Sequence, residues 1–242
     1  MCIVFWTLDH PDYSLIICNT RPIQITSFPG STSSTDKYYR TSSNVQLIEG
    51  EESKELYPRD AQYAGFNMLL LAPVSTASTE LRYDASFVTN AGAGGAISSR
   101  PLSAIEKAGG GFSNGIDGKG GSEWPKVQHG MQEFQAALQS QSLDALTEAE
   151  FTNRLFELLT WKCPAPVTTR SELRNTVEVA PIPITLESTK FYGTRLSTVV
   201  LIRRDGHVSF IERDIWKEVN GMVERMPASS ERKFNFKLHI VT

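Results

Sequence analysis

Apolar positions along this chain come in short blocks separated by polar and glycine-rich stretches. Cys2–Leu8 and Ser14–Cys18 are apolar runs of strand length. Asp9-His10-Pro11-Asp12 between them is turn chemistry, so the two predict a hairpin. Neither run alternates apolar with polar residues, which predicts strands covered on both faces. Phe66–Leu71, ended by Pro73, and Leu81–Thr89 predict a second pair. The strongest local signal is Leu196–Arg213, where Val199–Ile202 and Val208–Ile211 flank Asp205-Gly206, a hairpin turn. Phe234–Ile240 alternates and predicts a last strand. Asn44–Ile48 predicts a short strand, and Pro181–Leu186 predicts an edge strand because of Pro181 and Pro183.

Helical spacing appears twice. Over Ser122–Ser140, Val127, Met131, Phe134 and Leu138 share one face, Ser122 is the expected N-cap, and Pro125 suits the first turn. Over Glu148–Trp161, Thr147 and Glu150 have capping-box spacing. Phe151, Leu155, Leu158 and Leu159 make that helix's apolar face, and Pro164 and Pro166 stop it. Strands at both ends of the chain with helices between them predict an α+β fold, with helices layered on antiparallel sheet. The stretch Thr20–Ala64 differs: Ser31–Thr35 is polar and low in complexity, and Glu49–Glu55 is acidic. It is long for a structureless connection in a compact domain. The glycine-rich Ala91–Gly121 reads as turns, broken by a short strand and turn within Ile97–Lys107.

Composition narrows the function. With 242 residues, 40% of them hydrophobic, the chain can bury a sizeable core. A net charge of -3 with no basic stripe argues against a dedicated nucleic-acid binder. The longest apolar run, around Phe66–Val74, is far short of the roughly 20 residues of a membrane-spanning helix. Met1–Trp6 has no basic residue ahead of its apolar stretch, unlike a secretory signal. Three cysteines, Cys2, Cys18 and Cys163, at no metal-ligand spacing fit a reducing compartment and predict no metal site.

Candidate chemistry starts with the glycines. Gly92-Ala93-Gly94-Gly95 and Gly109-Gly110-Gly111 lack the third glycine of a dinucleotide motif, and Gly118-Lys119 lacks the rest of a P-loop, so all three read as flexible turns. His10, His129, His207 and His239 have no metal-helix spacing. Cys2 is the strongest candidate. Removal of Met1 would put its thiol beside its own α-amine, whose ordinary pKa of about 7.7–8.0 suits a general base. A small apolar cysteine filling a strand position is the plainer alternative. Arg195, ahead of an apolar strand, could hold a carboxylate or phosphate through its planar fork, or pair with a surface acid. Asn114 could donate its amide to an oxyanion, or simply serve a turn.

At this point a resemblance carries further. Phe191–Trp216 (FYGTRLSTVVLIRRDGHVSFIERDIW) resembles the C-terminal hairpin of the transport and Golgi organisation protein 2 family, also named for an Asn-Arg-Asp-Glu motif. The likeness extends to Met1-Cys2-Ile3, Leu15–Asn19, Tyr63–Asn67, Gly111–Asn114, Glu123-Trp124-Pro125-Lys126 and Phe234–Leu238. It implies a single domain over 1–242. The implied fold is a four-layer αββα sandwich similar to N-terminal-nucleophile hydrolases, with Cys2 at the nucleophile position. It also implies a factor in Golgi organisation and protein secretion, located in cytoplasm, Golgi or mitochondria. Haem or acyl-coenzyme A would be the hydrophobic ligand, and secretory-pathway proteins the partners. Asn19, Thr194 and Arg195 are the ligand-binding candidates, Cys2 and Asn114 the catalytic ones. The alternative function is a cysteine amidohydrolase using Cys2.

Two departures stand out. Asn19 is followed directly by Thr20-Arg21-Pro22, so the motif's Arg, Asp and Glu are missing. The family's two following strands are absent between Pro22 and Ala64, which makes residues 23–62 a divergent or flexible segment and the sandwich incomplete in its first half. A divergent member and skipped coding sequence both remain open as the origin.

Overall fold

The computed structural model describes residues 2–26, 44–47, 63–74, 80–143, 146–183, 190–220 and 222–238. Most of the segment 23–62, with Ser31–Thr35 and Glu49–Glu55, lies outside these residues. So do Met1 and the predicted ends of the strands at Ile48, Leu186 and Ile240.

The N-terminal hairpin forms as the apolar runs predict. β1 (Ile3–Thr7) pairs antiparallel with β2 (Tyr13–Thr26), Phe5 opposite Cys18 and Ile3 opposite Thr20. β2 runs well beyond the apolar block, and its register slips between Arg21 and Pro22. A proline has no N–H for the ladder, so a bulge is where an inner strand can hold one. β2 also pairs with β9 (Lys190–Arg203), which pairs with β10 (His207–Asp214) across the Asp205-Gly206 turn. Gly206 takes φ 85 there, a conformation that favours glycine. β13 (Arg232–Lys237) closes that side, and the two-residue β8 (Ile182–Pro183) pairs with β9.

The other edge corrects a sequence expectation. Gly109-Gly110-Gly111 reads as a flexible turn, yet β7 (Gly110–Phe112) is a strand on β1, with Gly111 opposite Phe5 and Gly110 opposite Trp6. The reason is the width of the rings beside it. A Cβ on Gly110 would stand 2.1 Å from Trp6 Cζ2, and one on Gly111 would stand 2.7 Å from Phe5 Cδ1. The aromatic side chains of β1 lie across its neighbour's backbone, and only glycine leaves room.

A second sheet carries β3 (Asn44–Leu47), β4 (Asn67–Pro73), β5 (Tyr83–Thr89) and β6 (Ser98–Pro101) in sequence order. β4, β5 and β6 pair antiparallel, whereas β3 joins β4 in parallel. Within Ile97–Lys107 the predicted strand and turn are β6 and a short helix, α1 (Ala104–Ala108), capped by Ser103 and Glu106.

Two long helices cover the first sheet. α3 (Glu148–Leu159) starts at Thr147, with the Thr147–Glu150 capping box formed in both directions. α2 (Pro125–Leu143) starts later than its spacing predicts. Ser122 lies in a 3₁₀ turn (Gly121–Glu123), and Trp124 is extended at φ -61, ψ 133. The residue before a proline is sterically pushed out of the helical region, so Trp124 interrupts the helix and Pro125 begins it.

Both faces of the first sheet's inner strands are buried. Ile3, Phe5, Ile16, Cys18, Val199 and Leu201 face the helices, against Val127, Phe134, Phe151 and Leu155. Val4, Trp6, Leu15, Ile17 and Ile202 face the second sheet, against Leu69, Leu71, Tyr83 and Phe87. The fold is therefore α+β with antiparallel sheets. Helices, first sheet and second sheet make three layers among the described residues.

A small hairpin, β11 (Trp216–Val219) and β12 (Met222–Arg225), projects from the end of β10. It is docked on one buried carboxylate. Glu178 accepts from Trp216 Nε1 and Arg225 Nη2, both at 3.0 Å, and meets Lys162 Nζ at 3.0 Å.

Gly130 in α2 tests the aromatic packing. Its Cβ would meet Phe5 Cζ at 2.1 Å. In an exposed helix, alanine would gain about 1 kcal/mol over glycine. Here Gly130→Ala is expected to lose about 1–3 kcal/mol through overpacking, read from urea denaturation. A variant as stable as the parent would show that Phe5 does not occupy this space.

Candidate functional site

The site assembles where β1 begins. Cys2 leads into the strand and is buried at 4% exposure. Its carbonyl accepts a hydrogen bond from Ser113 Oγ at 2.6 Å, which ties it to the turn after β7. Asn114 follows Ser113 in that turn. The turn is itself held by Asn67, whose Nδ2 donates to the carbonyls of Ser113 (2.8 Å) and Gly115 (2.7 Å). Thr89 Oγ1 in turn donates to Asn67 Oδ1 at 2.9 Å. The second sheet thereby fixes where Asn114 stands relative to Cys2.

Several buried polar atoms at this end have no hydrogen-bond partner among the described residues. They are Asn114 Oδ1, Thr20 Oγ1, Ser197 Oγ and Lys126 Nζ. Thr20 lies opposite Ile3 on one side and Ser197 on the other. Directly opposed residues of an antiparallel pair share a face, so both hydroxyls stand on the helix-facing side beside Ile3. Buried polar groups are satisfied almost everywhere in native proteins. An unmet buried polar group is a place where a ligand can supply what the fold does not.

Lys126 is the most unusual member. It lies in the first turn of α2 and is fully buried, with its Nζ 5.7 Å from the Trp124 ring centre. Burial pulls its pKa from 10.5 down to about 7, partly opposed by the thiolate form of Cys2. A cation at a helix N-terminus also opposes the helix dipole. The other buried thiol, Cys18, is pushed well above the ordinary thiol range by burial alone and is inert packing in the core.

The remaining candidates lie apart from this cluster or are engaged elsewhere. Thr194 is buried beyond the bulge, opposite Pro22. Its N–H donates to Val179 O and its Oγ1 accepts from Val179 N, both at 2.9 Å, so its polar groups fasten the strand to the 177–179 segment. Arg195 is exposed, its carbonyl accepts from Ile215 N at 2.7 Å, and its charge helps lower the pKa of Asp214. Asn19 is half-buried, opposite Val4 and Thr198 on the face away from Thr20. Two clefts open elsewhere. One of about 610 Å³ lies beside Glu148, Arg203, His207 and Lys237. The other, of about 440 Å³, lies between α2 and α3 beside His129 and Trp161. Neither touches Cys2, and the chemistry at Cys2 outweighs their size.

Sequence reasoning gave no role to Lys126, Asn67, Thr20 or Ser197. Only Lys126 carried a signal of its own, a basic residue in the first turn of a helix that otherwise buries its apolar face. Asn67 reads as the end of an apolar strand, and the two hydroxyls become notable only once their neighbours are known. No group of three or more His, Cys, Asp or Glu side chains that could hold a metal occurs among the described residues. No helix among them is long and apolar enough to cross a membrane.

Lys126 makes a pH prediction. Below about pH 7 both the folded and the unfolded chain carry its proton; between there and 10.5 only the unfolded chain does. Stability should therefore rise with pH across that window. Lys126→Met should flatten the rise and stabilise the protein at pH 7 by about 1–4 kcal/mol, as when a buried charge yields to a packed apolar side chain. Denaturant melts of both proteins at pH 7 and 9 measure this; parallel curves would mean that Lys126 is solvated.

The family model "Transport and Golgi organisation 2" matches residues 25–217. That span takes in Asn114, Lys126, Thr194 and Arg195 and begins after Cys2 and Asn19. No curated protein matches the chain.

Proposed function

The chain belongs to the transport and Golgi organisation 2 family, and from that membership we propose that it acts in Golgi organisation and protein secretion. The family match over residues 25–217 is the observation that carries this reading. At the molecular level the proposal is a handling factor for a hydrophobic small molecule, haem or an acyl-coenzyme A. It would work in the cytoplasm and at the Golgi, with a mitochondrial pool and secretory-pathway proteins as partners. Asn19, Thr194 and Arg195 are the proposed ligand contacts. An exposed arginine can hold the phosphates or carboxylates that both ligands carry. The fold proposed for the whole chain is the αββα sandwich.

A second reading is a cysteine amidohydrolase of the N-terminal-nucleophile kind. The cluster of unmet buried polar atoms at the start of β1 favours it. Cys2 would attack a carbonyl carbon, its α-amine would move the proton after loss of Met1, and Asn114 would stabilise the oxyanion.

Two measurements separate the readings. Purified protein titrated with haem should shift the haem absorbance band, or it should retain an acyl-coenzyme A through gel filtration. A flat titration with no retained ligand would remove the handling role. Intact mass should show Met1 absent if the α-amine is the base. A retained Met1, or a Cys2→Ala chain that supports secretion normally, would remove that amidohydrolase.

A further inference from the structure

The first sheet ends at β13, on the side opposite β7. All six residues of β13 are exposed, and no strand pairs with its outer side among the described residues. Its register fixes what that side offers. Leu238 N donates to Gly206 O at 2.9 Å. Opposed residues of an antiparallel pair alternate between bonded and unbonded, so Phe236 bonds across to Val208 and Phe234 to Phe210. The N–H and C=O groups of Lys233, Asn235 and Lys237 then point outward, where another strand can take them up.

The two faces of β13 differ. Phe234 and Phe236 share the second-sheet side with Phe210 and Val208, yet they are 52% and 50% exposed. The Phe234 ring stands 6.2 Å from that of Phe210. Lys233 and Lys237 stand on the helix-facing side, in register with Ile211 and His207. With Arg203 they set three cations beside two carboxylates, Glu148 and Asp205. Both carboxylates are engaged. Glu148 Oε1 meets Lys233 Nζ at 3.1 Å and accepts from Ser209 Oγ at 2.8 Å, and Asp205 meets His207 Nδ1 at 2.9 Å. That leaves Lys237 with no carboxylate at ion-pair distance among the described residues. Lysines on an edge strand deter pairing with a second copy. Here antiparallel self-pairing about Asn235 would set Lys233 against Lys237. Such a guard accounts for the lysines, but it leaves two exposed rings side by side without a role.

We propose that β13 is a docking edge for an extended acidic segment of a partner protein, one in which carboxylates alternate with apolar side chains. The incoming strand pairs with the outward backbone groups of Lys233, Asn235 and Lys237. Its successive side chains fall on opposite faces. The apolar ones cover Phe234 and Phe236, and the acidic ones meet Lys233 and Lys237. The same lysines that repel a second copy of this chain select an acidic strand. No residue of the candidate site around Cys2 takes part, so the inference stands apart from both readings of that site.

The test follows the fluorescence anisotropy of a labelled octapeptide alternating Glu and Val, titrated with the full chain. It should bind about tenfold more tightly than an octapeptide alternating Lys and Val, and than a Glu-Glu-Val-Val repeat of the same composition. Lys237→Glu should weaken the Glu-Val peptide by about fivefold and strengthen the Lys-Val peptide. Asn235→Pro removes an outward N–H and no backbone bond to β10, and it should weaken binding on the order of tenfold. No binding, equal binding of the Glu-Glu-Val-Val repeat, or full affinity in Asn235→Pro would each overturn the proposal. A second measurement needs no substitution. Amide exchange followed by NMR should slow at Lys233, Asn235 and Lys237 when the Glu-Val peptide is added, with Phe234 and Phe236 little changed. Unaltered exchange at the three outward amides would overturn the docking edge whatever the variants do. Sedimentation of the chain alone should show no dimer that Asn235→Pro dissolves; such a dimer would give this edge to a second copy and overturn the acidic partner.

Discussion

The burial of β1 on both faces is the constraint on which the rest of the structure depends. Ile3 and Phe5 turn to the helices, Val4 and Trp6 to the second sheet, and all four are at most 2% exposed. A strand with two layers over it holds an unpaired polar group only at a cost, so the opening of the chain is apolar at successive positions. Its rings also dictate the sequence of their neighbours. Phe5 and Trp6 need room that a Cβ on Gly110, Gly111 or Gly130 would fill. The glycines of β7 and α2 and the aromatic residues of β1 are thus one packing feature written at three separated places in the chain.

The same constraint creates the site. Where β1 emerges from its two covering layers, the apolar sandwich meets the first turn of α2 and the turn after β7. Cys2, Lys126, Asn114, Thr20 and Ser197 lie at that end of the fold, and the last four carry polar atoms with no hydrogen-bond partner among the described residues. A fold selected only for stability would fill such positions with apolar groups or pair them. Glu178 shows that this chain can satisfy a buried charge when the role is structural: three donors converge on it at 3.0 Å. The contrast is between Glu178, a charge that docks a hairpin, and Lys126, a buried amine with no hydrogen-bond partner among the described residues.

The family match covers only part of the site. The match over 25–217 spans the second sheet, the helices and the β9–β10 hairpin, whereas Cys2 and Asn19 precede it. The Arg, Asp and Glu expected after Asn19 are missing, and Thr20 leads directly into Arg21-Pro22.

Taken alone, the sequence determined every element whose cause is local. The Thr147–Glu150 capping box, the Asp205-Gly206 turn, the first hairpin and the apolar faces of α2 and α3 rest on residues within a few positions of one another, and all form. The hairpin of β11 and β12 went unpredicted although Asn220-Gly221 is a turn signal, because the apolar pattern around it gave no prompt. Tertiary structure decided what depends on distant partners. Gly110-Gly111 is strand because Phe5 and Trp6 lie over it, a hundred positions earlier in the chain. Lys126 is buried because the first turn of α2 closes against the first sheet, with the Trp124 ring beside it. Glycine and lysine carry little conformational or chemical preference of their own in such places. Their state is set by the volume and dielectric around them, and those exist only once the layers have closed.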